Sequence, residues 1–246
     1  MPEGDSIRRI AARLAPLVGE VVSATSPNPR GRVTGVAARV DGLRLERVDA
    51  VGKNLLLRFE GGVTVRNHLL MSGRWRVEPS ASTLVGKPWL VLVAGAWRAA
   101  QWNGPVLELE PTRPRRGLDI LDEQVELPTI VARLRRGDQS RSVGEALVDQ
   151  RVVAGIGNLW LAEILWEVRV SPRARLRSVP DETLASALAW ARDAMTDSVT
   201  KGRPEPRVYR RVGRPCPRCS ATIEAYRHGD QARTMYVCPH CQAEPT

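Results

Sequence analysis

The chain of 246 residues is short of acidic groups, aromatic side chains and long apolar runs. Lys and Arg outnumber Asp and Glu by 37 to 27, a net charge of +10. The longest apolar stretch, "PWLVLVAGAW", is about half of what a membrane span needs, and the N-terminus lacks the apolar core of a signal peptide. We expect no membrane span and no leader. The positive excess predicts a nucleic acid as partner, before an acidic membrane surface.

Acidic residues are missing altogether from 206–223. The same stretch holds five arginines: Arg207, Arg210, Arg211, Arg214 and Arg218. This clustering favours a surface that binds a polyanion over a protein that is merely basic and soluble.

Cysteine is absent from the first 215 residues, which excludes a disulfide scaffold. The four cysteines form the pairs "CPRC" and "CPHC", separated by eighteen residues. Two such pairs present four thiolates to one tetrahedral metal, so we expect one structural Zn²⁺ on Cys216, Cys219, Cys238 and Cys241. His240 lies inside the second pair and is the less favoured ligand, and four unligated thiols are the alternative.

The opening "MPEGDSIRRI" begins an amphipathic helix, with Asp5 or Ser6 as the expected N-cap. Pro2 and Glu3 then lie at the positive end of the helix dipole, which suits anionic ligands. Pro2 has two interpretations at this point. It is a small residue that permits removal of Met1, or its freed nitrogen has a function of its own.

The hydrophobic pattern divides the chain into regions with different periodicity. Alternating segments such as "NLLLRF" and "VTVRNHL" predict an antiparallel β-sandwich over 1–112. The Pro- and Arg-rich stretch 113–122 is interpreted as a linker. Helical spacing resumes over 123–206, where Gly202 is expected to end the last helix. A β-hairpin metal module follows at 207–246. The predicted fold class is therefore α+β with several domains.

Two motifs in the C-terminal half suit phosphate binding. In "AGIGNLW", glycines precede a helix, so Gly157 and an Asn158 cap would offer donors to a phosphate. An ordinary loop with an Asn cap is equally compatible with this pattern. Arg233 lies near the end of the expected hairpin, where it is either a rigid phosphate ligand or a solvated surface arginine.

Two motifs in the N-terminal half have similar alternatives. Lys53 in "VGKNLLLRF" is a solvated strand-edge charge or a site residue. In "NHLLMSGRW", Leu70 and Met71 belong to the core or act as wedges into a base stack. His68 lies beside them.

Five motifs, in their order along the chain, make it resemble the formamidopyrimidine-DNA glycosylase and endonuclease VIII family. They are "PEGD", "GKNLLLRF", "HLLMSGRW", "DQRVVAGIGNLWLAEILW" and "CPRC" with "CPHC". The resemblance implies an N-terminal β-sandwich with an N-terminal helix, a helix–two-turn–helix domain and a zinc finger. It also implies that Met1 is removed and that Pro2 is the nucleophile, which answers the question about Pro2. Glu3 is implied as general acid and base and Lys53 as a phosphate and lesion contact.

The remaining assignments follow from the same resemblance. Asn158, with Gly157, and Arg233 are implied to grip the phosphates that flank the lesion. Leu70 and Met71 are implied to fill the space of an everted base, with His68 in a structural or phosphate-binding role. The implied partner is double-stranded DNA containing oxidised bases or abasic sites. We expect a cytoplasmic, nucleoid-associated monomer that binds no membrane.

The resemblance alone does not indicate which oxidised base is removed, and smaller sequence features carry that expectation. "AWRAAQWNG" lacks the Arg-Phe wedge of the purine-type members, and thirteen residues, Arg203 to Pro215, leave little chain for a lid. We therefore expect the endonuclease VIII side of the family and a preference for oxidised pyrimidines. The alternatives are an oxidised-purine glycosylase and a non-catalytic zinc-finger protein that binds damaged DNA.

Overall fold

The structure is a computed structural model that describes residues 2–109, 117–229 and 232–243. The chain divides into two compact units, Met1–Pro114 and Arg115–Thr246. Within the described residues, no helix combines the length and apolar character needed to cross a bilayer.

The first unit begins with helix α1 (Gly4–Arg13), followed by the short strand β1 (Ser23–Thr25) and the short helices α2 (Pro29–Val33) and α3 (Val36–Val40). The strands that follow are β2 (Leu45–Val51), β3 (Asn54–Phe59), β4 (Thr64–His68), β5 (Arg74–Pro79), β6 (Leu90–Ala94), β7 (Trp97–Trp102) and β8 (Val106–Leu109). They form two antiparallel four-stranded sheets, in the orders β1-β6-β7-β5 and β2-β3-β4-β8.

The core of this unit follows from the alternating pattern of its strands. Leu55, Leu57 and Phe59 recur at every second position of β3 and are buried, together with Ile7 of α1 and its C-cap Leu14. Helix α1 packs on β2 and β3, so its N-terminal end is fixed to that sheet. The predicted sandwich with an N-terminal helix is therefore confirmed.

The second unit contains the helices α4 (Leu127–Arg135), α5 (Val143–Val148), α6 (Asn158–Glu167) and α7 (Asp181–Lys201). Strand β9 (Leu118–Asp119) pairs in parallel with β10 (Val153–Ala154). Strands β11 (Glu224–His228) and β12 (Arg233–Val237) form the predicted hairpin. Gly202, with a φ of 82°, caps α7 as expected.

Two predicted details differ from the structure. The N-cap of α1 is Glu3, whose backbone is extended, whereas Asp5 lies inside the first turn and bonds to Arg9. The N-cap of α6 is Gly157, so Asn158 is the first helical residue. The cap of α1 lies two or three residues before the predicted one, and the cap of α6 lies one residue before it.

The C-terminal part of the predicted linker 113–122 is part of the second unit. Residues 113–116 lie outside the described residues. The strand Leu118–Asp119 pairs with β10, and Ile120 and Leu121 are buried in the helical core. Residues from Leu118 onward therefore belong to the second unit, because their apolar side chains are part of its core.

Candidate functional site

The start of α1 places a proline beside a buried carboxylic acid. Pro2 is half-buried, and Glu3 has no solvent exposure. The Glu3 carbonyl accepts the first helical hydrogen bond from the Ile7 amide at 3.1 Å, which fixes the backbone at this point. A carboxyl group excluded from water is a suitable proton donor and acceptor for chemistry at a neighbouring nitrogen.

Lys53 lies in a two-residue turn between β2 and β3. Val51 pairs with Asn54 across this turn, and Gly52 takes a left-handed φ of 56°. Glycine adopts this conformation without steric cost, and the short turn holds Lys53 at one end of the sheet. The structure therefore places Lys53 in the turn directly before the buried strand β3.

His68 ends β4 directly opposite Asn54, the residue after Lys53. Burial, then the positive charges of Lys53 and Arg66, lower the pKa of His68 below its ordinary value of 6.5. His68 is therefore uncharged at neutral pH. Its Nδ1 accepts a hydrogen bond from the Leu70 amide at 3.1 Å, so the ring proton is on Nε2 and can be donated.

The loop after His68 exposes two apolar side chains. Leu70 is 45% exposed with a φ of 45°, and Met71 is 66% exposed. The Gly73 amide donates to the Leu69 carbonyl at 2.8 Å, and a Cβ at Gly73 would lie 2.7 Å from that same oxygen. Only glycine fits this closed turn. Leu70 and Met71 are thus outside the core, as a wedge requires.

Asn67 in β4 and Trp75 in β5 connect the two strands that flank this loop. No sequence motif indicated this role. The Trp75 indole donates to Asn67 Oδ1 at 2.8 Å, and Asn67 Nδ2 donates to the Val106 carbonyl at 2.7 Å. Asn67 is fully buried. Buried polar groups satisfied in this way fix the strands on both sides of the loop.

The glycine turn before α6 is organised by Gln150. Its Oε1 accepts from the Gly155 amide at 3.1 Å, and its Nε2 donates to the Ile156 carbonyl at 2.8 Å. Gly155 has a φ of 105°. Gln150 lies inside the motif "DQRVVAGIGN", but its role depends on the three-dimensional turn.

The structure brings Asn158 next to Arg233. Asn158 Nδ2 donates to the Thr234 carbonyl at 2.8 Å, and Thr234 follows Arg233 in β12. Arg233 is half-buried and lines a cavity of about 450 Å³ with Arg141 and Arg151. Both of those arginines form ion pairs with Asp149, at 3.1 and 2.8 Å. Glu145 lines the same cavity, so both cationic and acidic groups surround Arg233.

The four cysteines converge on one point. Their sulfur atoms all lie within 4.8 Å of one another, and no disulfide joins them. The sulfurs of three pairs are 3.4 to 4.0 Å apart: Cys219–Cys238, Cys219–Cys241 and Cys216–Cys241. Zn–S bonds of about 2.3 Å in a tetrahedron place sulfurs roughly 3.7 Å apart, so the set fits such an ion. His240 is exposed and outside the cluster.

Helix α6 supports this cysteine cluster. The buried Trp166 indole donates to Cys216 Sγ at 3.3 Å. Burial opposes ionisation of Cys216, but hydrogen bonds from the Arg218 amide and Trp166 lower its pKa to about 6. The thiolate, the form that binds a metal, is thereby favoured at Cys216. Burial and the neighbouring thiols raise the pKa of Cys238 and raise the pKa of Cys241 to about 12. Trp160 and Trp166 are both buried.

Glu163 holds the chain that leads to the cluster, and sequence reasoning missed it. Its carboxylate accepts hydrogen bonds from the amides of Arg207, Val208 and Tyr209 at 2.9, 3.0 and 3.0 Å. Glu163 is buried. The only signal available in the sequence was an acidic residue inside the apolar segment "LWLAEILW".

Comparisons with known proteins agree with these features. Residues 1–102 match the formamidopyrimidine-DNA glycosylase N-terminal domain, and residues 117–207 match the formamidopyrimidine-DNA glycosylase H2TH domain. The chain is 33% identical over 267 residues to a probable endonuclease 8 2 of Streptomyces coelicolor, covering 100% of this chain and 95% of that protein. It is 29% identical over 271 residues to the formamidopyrimidine-DNA glycosylase of Thermus thermophilus, covering 99% of both.

A solved structure has the same fold. Formamidopyrimidine-DNA glycosylase of Lactococcus lactis, non-covalently bound to DNA containing an abasic site, superposes with a TM-score of 0.85 and 20% identity. The match covers 98% of this chain and 100% of that one. The family predicted from the five sequence motifs is confirmed, and the chain belongs to the formamidopyrimidine-DNA glycosylase and endonuclease VIII family.

Proposed function

We propose that the chain is a bifunctional DNA glycosylase and AP lyase that removes oxidised bases in base-excision repair. The observation that carries this proposal is the adjacency of Pro2 and the fully buried Glu3 at the start of α1. The relatives named endonuclease 8 and formamidopyrimidine-DNA glycosylase support it. A protein that only binds DNA has no use for an acid buried beside its N-terminus.

The Pro2 nitrogen is the proposed nucleophile once Met1 has been removed. An α-amine has a reference pKa of roughly 8, so a useful fraction is unprotonated at neutral pH. The nitrogen lone pair forms a bond to C1′ of the damaged nucleotide, and the bond from C1′ to the base breaks. The departing base takes the bonding electrons and a proton. The sugar ring then opens: the C1′–O4′ bond breaks, O4′ takes a proton, and the nitrogen lone pair forms the second bond to C1′, which leaves an iminium attached to Pro2.

The iminium then acts as an electron sink for strand cleavage. It acidifies the C2′ protons, and loss of one of them expels the 3′ phosphate by β-elimination. A second elimination expels the 5′ phosphate. Glu3 is proposed to supply protons to the sugar oxygen during base loss and to shuttle protons around C1′. Water finally releases the sugar fragment and restores the Pro2 amine.

Two further residues of the first unit are proposed to contact the DNA backbone. Lys53 supplies a positive charge at the rigid turn, and the neutral His68 offers its Nε2 proton to a phosphate oxygen. The exposed Leu70 and Met71 are proposed to enter the space that the everted nucleotide leaves.

The second unit is proposed to grip phosphates through the Gly157 turn, Asn158 and Arg233. Its cysteines would hold one structural Zn²⁺, which crosslinks the two knuckles and leaves no open position for chemistry. We keep the division into a catalytic region 1–112, a helical region 123–206 and a finger 207–246, and a monomeric protein, as parts of the proposal.

Oxidised pyrimidines are the proposed substrates. Glu163 fixes the amides of residues 207–209, which shortens the segment available for a lid. Relatives of 33% and 31% identity named endonuclease 8 are in line with this preference. Single-turnover rates on matched duplexes test it: cleavage at thymine glycol and dihydrouracil should exceed cleavage at 8-oxoguanine paired with cytosine. The opposite order would replace this substrate class with oxidised purines.

Borohydride trapping tests the chemistry itself. Mature protein and abasic-site DNA should form a covalent complex on reduction, with the DNA attached to Pro2 in peptide mass spectra. A form that retains Met1 should form no complex, because its Pro2 nitrogen is an amide. Equal trapping by both forms would exclude Pro2 as the nucleophile. Glu3→Gln should impair base excision more than cleavage of a pre-formed abasic site.

A further inference from the structure

The β11–β12 hairpin is held against helix α5 by a hydrogen-bonded group that no part of the proposed reaction uses. His228, the last residue of β11, lies 2.8 Å through Nε2 from the hydroxyl of Ser142. Ser142 is the N-cap of α5 and is almost fully buried. Residues 228 and 142 are far apart in sequence, so this contact fixes the hairpin on the helical core.

The direction of these hydrogen bonds follows from the protons available. Ser142 Oγ donates its single proton to Glu145 Oε2 at 2.8 Å and accepts from the Glu145 amide at 3.2 Å. The hydroxyl has no second proton for His228, so the imidazole must donate through Nε2. The Glu145 carboxylate is also 3.8 Å from that nitrogen. Ser142 and Glu145 occupy the two positions of a capping box, although the Glu145 carboxylate bonds to the Ser142 hydroxyl and not to its amide. This pair, called the α5 capping box below, receives the histidine.

A second contact beside the first shows how closely the hairpin approaches α5. Gly229 has a φ of 71°, and a Cβ built there would lie 2.6 Å from Glu145 Oε1. No other residue fits without displacing the carboxylate. The hairpin therefore meets the capping box at two successive residues, one through a hydrogen bond and one through the absence of a side chain.

His228 is also the strand partner of Arg233, the arginine proposed to bind phosphate. His228 lies directly opposite Arg233 in the antiparallel register, so the two side chains leave the same face of the hairpin. Both residues line the cavity of about 450 Å³. Movement of His228 away from Ser142 would therefore displace Arg233 as well.

We propose that His228 is a positioning residue that fixes Arg233 for DNA binding by donating a hydrogen bond to the buried Ser142. This inference rests on the proposed role of Arg233. It assigns to the α5 capping box a second task beyond helix initiation, namely to set the orientation of the hairpin.

The test measures binding to duplex DNA carrying a tetrahydrofuran abasic-site analogue. His228→Leu should weaken binding about fivefold, the range expected for one net hydrogen bond. His228→Gln should retain most of the affinity, because its amide also donates to Ser142. The KM for an abasic substrate should rise in His228→Leu while kcat stays close to that of the unaltered protein. Zinc content and thermal midpoint, measured for each variant, identify any that fail to fold.

Coupling between the two residues separates this inference from the proposed function. If His228 acts through Arg233, the double variant His228→Leu/Arg233→Ala should bind no more weakly than Arg233→Ala alone. Additive losses, or an unchanged affinity for His228→Leu beside a weakened Arg233→Ala, would overturn the positioning role and leave the phosphate contact intact. An unchanged affinity for Arg233→Ala would instead contradict the proposed function of that arginine.

Discussion

The carboxylate of Glu163 accepts the backbone amide of Val208 at 3.0 Å, across 45 positions of sequence. The neighbouring amides of Arg207 and Tyr209 bond to the same carboxylate. One side chain of α6 thereby fixes the path of the chain that enters the cysteine module.

Glu163→Gln should destabilise this connection, because an amide group cannot accept all three N–H bonds. The NH₂ group of the substituted side chain would face the backbone N–H of Arg207, so two donors would oppose each other. The expected decrease in the free energy of unfolding of the second unit is about 1–3 kcal/mol. Glu167→Gln is the matched control. Glu167 lies one turn further along α6 in a partly exposed ion pair with Arg207, for which a loss below about 1 kcal/mol is expected. Urea unfolding checks both, and equal losses would contradict the role of Glu163.

Arg233→Ala and Asn158→Ala should each weaken DNA binding by about 1–3 kcal/mol, since a charge-assisted or buried phosphate contact is lost. The decrease of affinity with salt should also become less steep for Arg233→Ala, because one phosphate contact fewer releases fewer counterions. Fluorescence anisotropy across a salt series measures both quantities. Arg136→Ala, which removes an exposed arginine at the end of α4, should leave the affinity almost unchanged.

The free energy of unfolding should decrease as the pH falls below about 6.5, because of His68. Its pKa is lowered in the folded protein, so in this range the unfolded chain takes up a proton that the folded chain does not. The full contribution is present above pH 6.5 and declines towards the lower pKa of the folded state. His68→Asn should flatten the urea midpoints between pH 7.5 and 5.5. The lowered pKa values of Asp138 and Glu145 act in a more acidic range, below about 4.5.

Removal of the proposed Zn²⁺ should affect the two units differently. A chelator would leave four thiol groups in close proximity with no ion between them, so the hairpin carrying Arg233 should lose its order. DNA affinity should then fall to the level of Arg233→Ala, while the unfolding transition of the first unit is retained. Added Zn²⁺ should restore binding, and Cys238→Ser should not respond to it. Unchanged affinity of the chelated protein would show that the hairpin does not grip DNA.

The sequence predicted most of what depends on local periodicity. Leu55, Leu57 and Phe59 recur at every second position of β3 and belong to the core of the first unit. Helix α7 buries Leu184, Leu188, Ala191 and Met195 at helical spacing and ends at Gly202. The cysteine cluster was predictable because ligand spacing is set by the geometry of the metal.

Contacts between distant segments were not predictable in this way. Glu163 bonds to amides 44 to 46 positions away, and Gln150 supports a turn whose shape no pattern encodes. The cap of α1 was assigned wrongly to Asp5 or Ser6. The pattern supplies candidate caps but not the extended backbone of Glu3, which sets where the helix begins.

The closed turn at Leu69 and Gly73 has a consequence for the kinetics of lesion search. Leu70 is held at a φ of 45°, a conformation that costs a non-glycine residue about 1 kcal/mol, and this cost is met when the protein folds. The backbone that carries the two apolar side chains is therefore set before any duplex arrives. In the role proposed for Leu70 and Met71, each encounter with DNA would test the base stack with a preformed loop, and the rate of interrogation would depend on how readily the stack opens.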